Sequence, residues 1–151
     1  MTISYDEFKK VEVRAGKILS AEKIPDTDKL LRLMVDLGEK VEVIENTNID
    51  KPEVKIGDQV HVKTDIGADT TIIPVTKKFT SAPRQIVSGI ALRYPDPSVL
   101  VGKTCMFVSN LEVRNIKGVE SNGMLFAVST PEGGFSLLET NETIPPGTLA
   151  I

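Results

Sequence analysis

The sequence predicts a mainly β protein: a five-stranded Greek-key barrel with one short helix between its third and fourth strands. Three observations carry this expectation. Apolar residues alternate with polar ones over short stretches, the pattern of half-buried strands. Turn residues punctuate those stretches. The one internal helix signal, Asp96-Pro97 followed by Gly102, falls after the third stretch and before the fourth. At 151 residues the chain is one ordinary domain, long enough to bury a core.

Each element has its own signal. Ser4 and Glu7 are spaced as a capping box, and Ile3 and Phe8 as a hydrophobic staple, so a short helix starts there. Val11, Val13 and Ala15 alternate with Glu12 and Arg14 as the first strand. The apolar parity then shifts to Ile18, and Gly16 is expected to mark a bulge or sharp bend. Pro25-Asp26-Thr27-Asp28 is turn chemistry. Leu31, Leu33, Val35 and Leu37 form the second strand, which ends at Gly38. Residues 84–91 are the third. Asp96 caps, Pro97 opens and Gly102 stops a helix of one or two turns. Residues 104–111 are nearly continuously apolar, as in a strand buried on both faces. The polar, glycine-containing stretch 112–123 is expected to be loop, and 124–128 the fifth strand. Pro145-Pro146-Gly147 turns into a last apolar stretch. This order of elements is that of an OB-type barrel.

Residues 39–83 interrupt the pattern and read as a β elaboration inserted between the second and third barrel strands. Val41 and Val43 alternate with acids, Lys55-Ile56-Gly57-Asp58 turns into a piece at 59–63, and 70–75 is a third piece containing Pro74. The whole chain, 1–151, is then a single domain carrying an insertion.

The net charge is −3, from 18 Lys and Arg against 21 Asp and Glu, which argues against coating nucleic acid by bulk charge. The distribution is uneven. Residues 118–151 hold four acids and no Lys or Arg, whereas 8–38 and 84–117 together hold twelve bases against seven acids. A local basic surface fits inside an acidic chain. No apolar run reaches the roughly 20 residues of a membrane span, and the first residues do not have a leader's basic-then-apolar pattern. The expected compartment is the cytoplasm. One cysteine excludes an internal disulfide, and one histidine makes a zinc site improbable. Cys105 reads as a small core hydrophobe, His61 as the outer face of an inserted strand. No nucleophile has a candidate base beside it, so no catalytic constellation, cofactor or metal is expected.

Several of these residues also carry a family resemblance. Phe8, Lys10-Val11, Arg14, Gly16, Ile18, Ala21-Glu22, Pro25 and Asp28-Lys29-Leu30 resemble the opening of the EMAP II-like tRNA-binding domain. Residues 84–90, Arg-Gln-Ile-Val-Ser-Gly-Ile, are similar to its third-strand motif. Asn110-Leu111, Arg114, Gly118, Ser121 and Gly123-Met124-Leu125 are similar to its last loop and strand. The likeness covers 3–38 and 84–151, in order; where most relatives have only a tight connection, this chain has 39–83.

That family occurs at the C-terminus of methionyl-tRNA synthetases, in tyrosyl-tRNA synthetases and synthetase-associated factors, and as free-standing proteins. The resemblance implies an OB fold that recognises the shape of tRNA, homodimerisation partly through the segment after the barrel, and a synthetase as a further partner. The methionine at position 1 and the lack of a catalytic motif look like the free-standing form or a detached synthetase subunit. Lys29, Arg84, Arg114 and Lys117 are the expected phosphate contacts. Ser88, Asn110 and Ser121 offer small donors and acceptors to ribose and phosphate, although Asn110 serves equally well as a turn residue. Met124 matches a tRNA-surface position; without the resemblance it reads as core. Leu137, Leu138, Leu149 and Ile151 are the expected dimer interface, or else they close the end of the barrel. A CsaA-like dimeric chaperone that binds unfolded polypeptide, and a synthetase-complex scaffold, are the alternatives.

Overall fold

The structure, a computed structural model, describes residues 1–44, 60–62, 71–73 and 77–151. The expected turn at 55–58 and Pro74 lie outside the described residues. The chain divides into two compact units, Met1–Glu39 with Ser81–Ile151, and Lys40–Thr80.

Helix α1 (Tyr5–Phe8) begins with the capping box that its sequence specifies. The Glu7 N–H donates to the Ser4 hydroxyl at 3.2 Å, and the Ser4 N–H to the Glu7 carboxylate at 2.7 Å. These bonds hold the Glu7 carboxyl below its usual pKa. The expected staple does not bury its residues: Ile3 and Phe8 both stay exposed.

Strand β1 (Val13–Lys23) is the longest, and two neighbours share it. Its partner along the second half is β2 (Leu31–Asp36), in which Leu31, Leu33 and Val35 are fully buried and alternate with the outward residues. The register slips between Ile18 and Ser20, so the bulge sits at Leu19 and not at Gly16. Gly16 has a different reason to be glycine. A Cβ there would stand 2.7 Å from Val35 Cγ1 and 2.8 Å from both Leu37 Cδ2 and Phe107 Cδ2.

In the second unit, β3 (Lys40–Ile44) pairs with β6 (Lys77–Ser81), while β4 (Val60–Val62) pairs antiparallel with β5 (Thr71–Ile73). Within the first unit, Ala82 donates to the Glu39 carbonyl at 3.0 Å, so the chain leaves and re-enters that unit at adjacent points.

Strand β7 (Arg84–Ser88) lies against β2 and ends three residues before the sequence pattern does. Ile90 and Ala91 are buried but sit in a turn, which the Ala91 N–H ties to the Lys29 carbonyl at 3.0 Å. The expected helix is one 3-10 turn, Pro97–Leu100, with the Asp96 carboxylate accepting from the Ser98 N–H at 3.0 Å and Leu100 buried beneath. Strand β8 (Thr104–Val108) then pairs with the first half of β1.

The stretch expected to be loop is in part a hairpin. β9 (Arg114–Ile116) and β10 (Val119–Ser121) join through Lys117 and Gly118, both at positive φ (+49° and +83°). Two consecutive left-handed residues make the tight turn that suits the strands' twist. The Asn115 side chain fastens it by accepting from the Gly118 N–H at 2.8 Å. The expected fifth strand divides into β11 (Met124–Leu125), on β8, and β12 (Ala127–Ser129), on β13 (Phe135–Leu137).

The main sheet runs β11-β8-β1-β2-β7, a nearly closed barrel of the OB type. Its core is Phe107, Ile18, Leu31, Leu33, Leu37, Ile86, Leu100, Val35 and Cys105. Burial pushes the Cys105 thiol up to about 11, so it packs as a neutral hydrophobe. Leu137, expected at a dimer interface, belongs to this core at 5% exposure, and the chain after it runs along β8, where Met106 donates to the Leu138 carbonyl and Thr140 to the Thr104 carbonyl, both at 2.9 Å. The tail returns along β1, where Ala15 donates to the Thr148 carbonyl and Ala150 to the Val13 carbonyl, both at 2.8 Å.

The three close approaches at Gly16 make a direct prediction. Gly16→Ala is expected to lower the urea midpoint by the equivalent of about 1–3 kcal/mol, the usual cost of overpacking a core. An unchanged midpoint would mean that β1 can move away from Val35 and Phe107.

Candidate nucleic-acid interface

Two segments far apart in sequence meet at one end of the barrel. The first is the 24–30 turn, whose backbone is tied down from within. Ile24 donates to the Leu30 carbonyl at 3.2 Å, the Thr27 hydroxyl to the Ile24 carbonyl at 2.9 Å, and Asp26 takes a positive φ of +60° to close the bend. The Ala91 N–H on the Lys29 carbonyl fixes the turn to the chain after β7. The second segment is the tip of the β9–β10 hairpin. Thr27, Asp28, Lys29, Leu30, Ile116 and Lys117 line a depression of about 290 Å³ between them.

The Lys29 and Lys117 side chains are exposed on opposite walls of this depression, and Arg114 is exposed at the start of the same hairpin. None of the three has an ion-pair partner among the described residues. Flexible ammonium groups on a rigid frame present point charges to a phosphate without a bound carboxylate to displace.

The other expected contacts divide by what they already hold. Arg84 is engaged: its guanidinium grips both oxygens of Glu39, with Nε 2.8 Å from Oε2, and also donates to the Ser109 carbonyl. The pair lowers the Glu39 pKa and raises that of Arg84. Asn110 uses both ends of its amide, accepting from the Glu12 N–H at 2.8 Å and donating to the Lys10 carbonyl at 2.6 Å. These bonds tie the chain just after β8 to the chain just before β1.

Ser121 is 3% exposed; its hydroxyl accepts from the Val87 N–H at 3.0 Å and donates to the Gly123 carbonyl at 3.2 Å. With Asn122 donating to the Gln85 carbonyl and the Gln85 side chain donating to the Glu120 carbonyl, both at 2.8 Å, it closes the barrel between β7 and β10. Ser88 ends β7 half-buried. Met124 is 45% exposed, so the reading of it as core does not hold.

Sequence reasoning missed Ile116 as the apolar wall of the depression and Glu39 as the partner of Arg84. The Lys117-Gly118 pair was the available signal for the hairpin; nothing local announces an ion pair across 45 residues.

Beside the start of β1, Tyr5, Phe8, Val11, Val13, Leu149 and Ile151, together with Lys9 and Glu12, line a mostly apolar groove of about 440 Å³. Leu138, Leu149 and Ile151 are exposed, unlike Leu137. Among the described residues no cluster of His, Cys, Asp or Glu is arranged to hold a metal ion, and no helix is long and apolar enough to cross a membrane.

Comparison with known proteins bears on what this surface is. Residues 73–149 match the family model described as "Putative tRNA binding domain". The chain belongs to that family. Curated relatives include the methionine–tRNA ligases of Enterococcus faecalis, 30% identical over 145 residues, and of Methanocella arvoryzae, 36% identical over 146. These matches take in 96% and 97% of this chain but only 16% and 15% of the enzymes, so the chain spans a small part of the length of the curated relatives it matches.

Among solved structures, a MetRS-related protein from Pyrococcus horikoshii superposes with a TM-score of 0.68 at 29% identity, over 100% of this chain and 99% of that one. The chaperone CsaA from Bacillus anthracis superposes at 0.62 with 18% identity, over 100% of both chains, a likeness of fold alone.

The tRNA-binding domain here spends backbone strain on a lysine. A non-glycine residue at left-handed φ costs about 1 kcal/mol or more, and asparagine is the residue best suited to the first position of such a turn. Lys117→Asn is therefore expected to stabilise the protein by about 0.5–1 kcal/mol, read as a raised thermal midpoint. A lower midpoint would show that the lysine side chain holds the hairpin together.

Proposed function

We propose that the chain is a non-catalytic tRNA-binding module that recognises tRNA by backbone and shape, acting in the cytoplasm either free-standing or as an accessory subunit of a methionyl-type aminoacyl-tRNA synthetase. The observation that carries this reading is the shared depression: a rigid turn and a hairpin tip, each bearing an exposed lysine, face one another at one end of a barrel that belongs to a tRNA-binding family. Lys29, Arg114 and Lys117 meet phosphates, with Ser88, paired to Leu31 just after the turn, and the exposed Met124 as further proposed contacts. Arg84, Asn110 and Ser121 act one step back, by holding the third strand, the end of β8 and the hairpin where the contacts need them.

Aromatic rings supply little here. The depression has no aromatic lining residue, Tyr94 and Phe135 stack on each other edge-to-face at 6.0 Å, Phe107 is core, and the exposed Tyr5 and Phe8 lie in the separate groove beside β1, which favours a folded RNA over stacked single strands at this site. The 39–83 segment is an insertion between the second and third barrel strands.

A homodimer would bring two such surfaces to one RNA. The apolar groove of Phe8, Val11, Leu149 and Ile151, with Leu138, is its proposed seam; Leu137 has no part in it. The same exposed apolar surface is what an unfolded polypeptide would need, which keeps a CsaA-like chaperone as the second reading.

Titration with bulk tRNA and with an unstructured RNA of equal length, across a salt series, tests the first claim. Tighter binding to tRNA is expected, weakening as salt rises because neutralised phosphates release counterions. Lys29→Ala and Arg114→Ala are each expected to weaken binding several-fold and to reduce the salt slope by about one. A folded protein that binds neither RNA at low salt overturns the proposal in favour of the chaperone or scaffold. For the seam, Leu149→Asp is expected to convert a dimer into monomers in sedimentation; a dimer that survives places the interface elsewhere.

A further inference from the structure

The depression between the two lysines contains a carboxylate, and phosphate binding alone gives no reason for it. Asp28 is exposed on the wall formed by the 24–30 turn, beside Lys29 and across from Lys117. A negative charge there repels a phosphate drawn in by the lysines and weakens a purely electrostatic grip.

The usual structural reason for an aspartate in a turn is absent. Turn aspartates normally accept from a backbone N–H two residues on. Two others in this chain do so, Asp36 from the Gly38 N–H at 2.8 Å and Asp96 from the Ser98 N–H at 3.0 Å. Asp28 accepts no hydrogen bond among the described residues, and the turn does not need it. Its bend is held by the Thr27 hydroxyl on the Ile24 carbonyl, the Ile24 N–H on the Leu30 carbonyl and the Ala91 N–H on the Lys29 carbonyl. The frame is complete without the carboxylate of Asp28, an exposed residue that lines the depression.

A carboxylate is an acceptor only, so what it engages on a bound ligand has to be a donor. On a nucleic-acid backbone the phosphates and ring oxygens accept; the group that donates is the ribose 2′-hydroxyl, which RNA has and DNA lacks. A site with two ammonium groups for phosphate oxygens and one carboxylate for the adjoining hydroxyl matches a ribonucleotide unit and penalises a deoxyribonucleotide.

We infer that Asp28 is a specificity-determining residue that accepts a hydrogen bond from a ribose 2′-hydroxyl in the depression between Lys29 and Lys117, so that this end of the barrel selects RNA over DNA. The inference rests on the RNA-binding reading above and names which part of the RNA the site tests. Charge-assisted acceptance makes the bond worth keeping, and the repulsion of a bare phosphate supplies the discrimination.

The test uses the full chain, a tRNA transcript and a DNA strand of the same sequence, at one fixed salt concentration. Asp28→Ala is expected to weaken tRNA binding about tenfold, as for loss of a hydrogen bond to a charged group, while DNA binding stays the same or tightens. The RNA-to-DNA ratio therefore collapses. Asp28→Asn, which keeps an acceptor oxygen, is expected to retain part of the preference. If Asp28→Ala tightens both ligands equally, the carboxylate is only a repulsive charge and the inference is overturned. An unchanged ratio overturns it as well.

Lys29→Ala and Lys117→Asn separate the two levels. If they weaken both nucleic acids while Asp28→Ala leaves the ratio alone, the RNA surface stands and the role of Asp28 falls. A wild-type protein that binds no RNA overturns both.

Discussion

β1 must satisfy three neighbours, with β8 and the C-terminal tail on either edge of its first half and β2 along its second, and in a nearly closed barrel it coils to reach them. Two local features permit the coil. The absence of a side chain at Gly16 lets the backbone come down onto Val35, Leu37 and Phe107, and the extra residue at Leu19 resets the register as the strand passes from one neighbour to the next. The rest of the unit follows from this bend. It directs the end of β1 into the 24–30 turn, brings β7 round towards β10, and so sets the turn and the β9–β10 tip on either side of one depression. A flatter β1 would leave the two lysine-bearing segments unrelated.

The barrel closes less by strand pairing than by side chains, and this explains how the family's polar residues are used. Between β7 and β10 the Ser121 hydroxyl takes the place of a carbonyl for the Val87 N–H. Asn110 plays a similar part between β8 and the approach to β1. A buried N–H left without an acceptor costs about 1–3 kcal/mol, so these residues are constrained by the fold before any ligand arrives. Arg84 and Glu39 fasten the point where the chain leaves and re-enters the first unit. Here the polar positions separate into those already hydrogen-bonded within the fold, Arg84, Asn110 and the buried Ser121, and the exposed Lys29, Arg114 and Lys117, which have no ion-pair partner among the described residues.

Most of the barrel was legible because its strands alternate cleanly. Leu31, Leu33 and Val35 announce both a strand and its inward face, and Asp96-Pro97 with Gly102 marks the helical turn. What could not be read has physical causes. The apolar parity shift near Gly16 signals an irregularity, but parity alone does not say which residue is the extra one. The β9–β10 hairpin has strands of three largely polar residues, too short for a period, and its turn uses Lys-Gly in place of the stronger Asn-Gly signal. Leu137 and Leu138 are equally apolar in sequence; only the packing of β13 against the barrel core decides that the first is buried and the second exposed. Of the candidate contacts, the charges were visible but their partners were not, since Arg84 and Glu39 stand 45 residues apart.

An acidic chain that binds RNA needs its cations gathered locally, and the geometry bears on how few suffice. At physiological salt the Debye length is about 8 Å, so acids elsewhere on the protein weigh little on a phosphate inside the depression, whereas Lys29 and Lys117 act at close range. Few contacts mean a modest affinity and a shallow salt dependence for one barrel. On the proposed reading, the shortfall is met by geometry rather than charge: a frame tied by backbone bonds loses little freedom on binding, and a second copy held through the apolar groove makes the second contact intramolecular. The net charge of −3 then works in favour of selectivity, because it discourages loose binding to any polyanion and leaves the shaped site to determine which RNA is held.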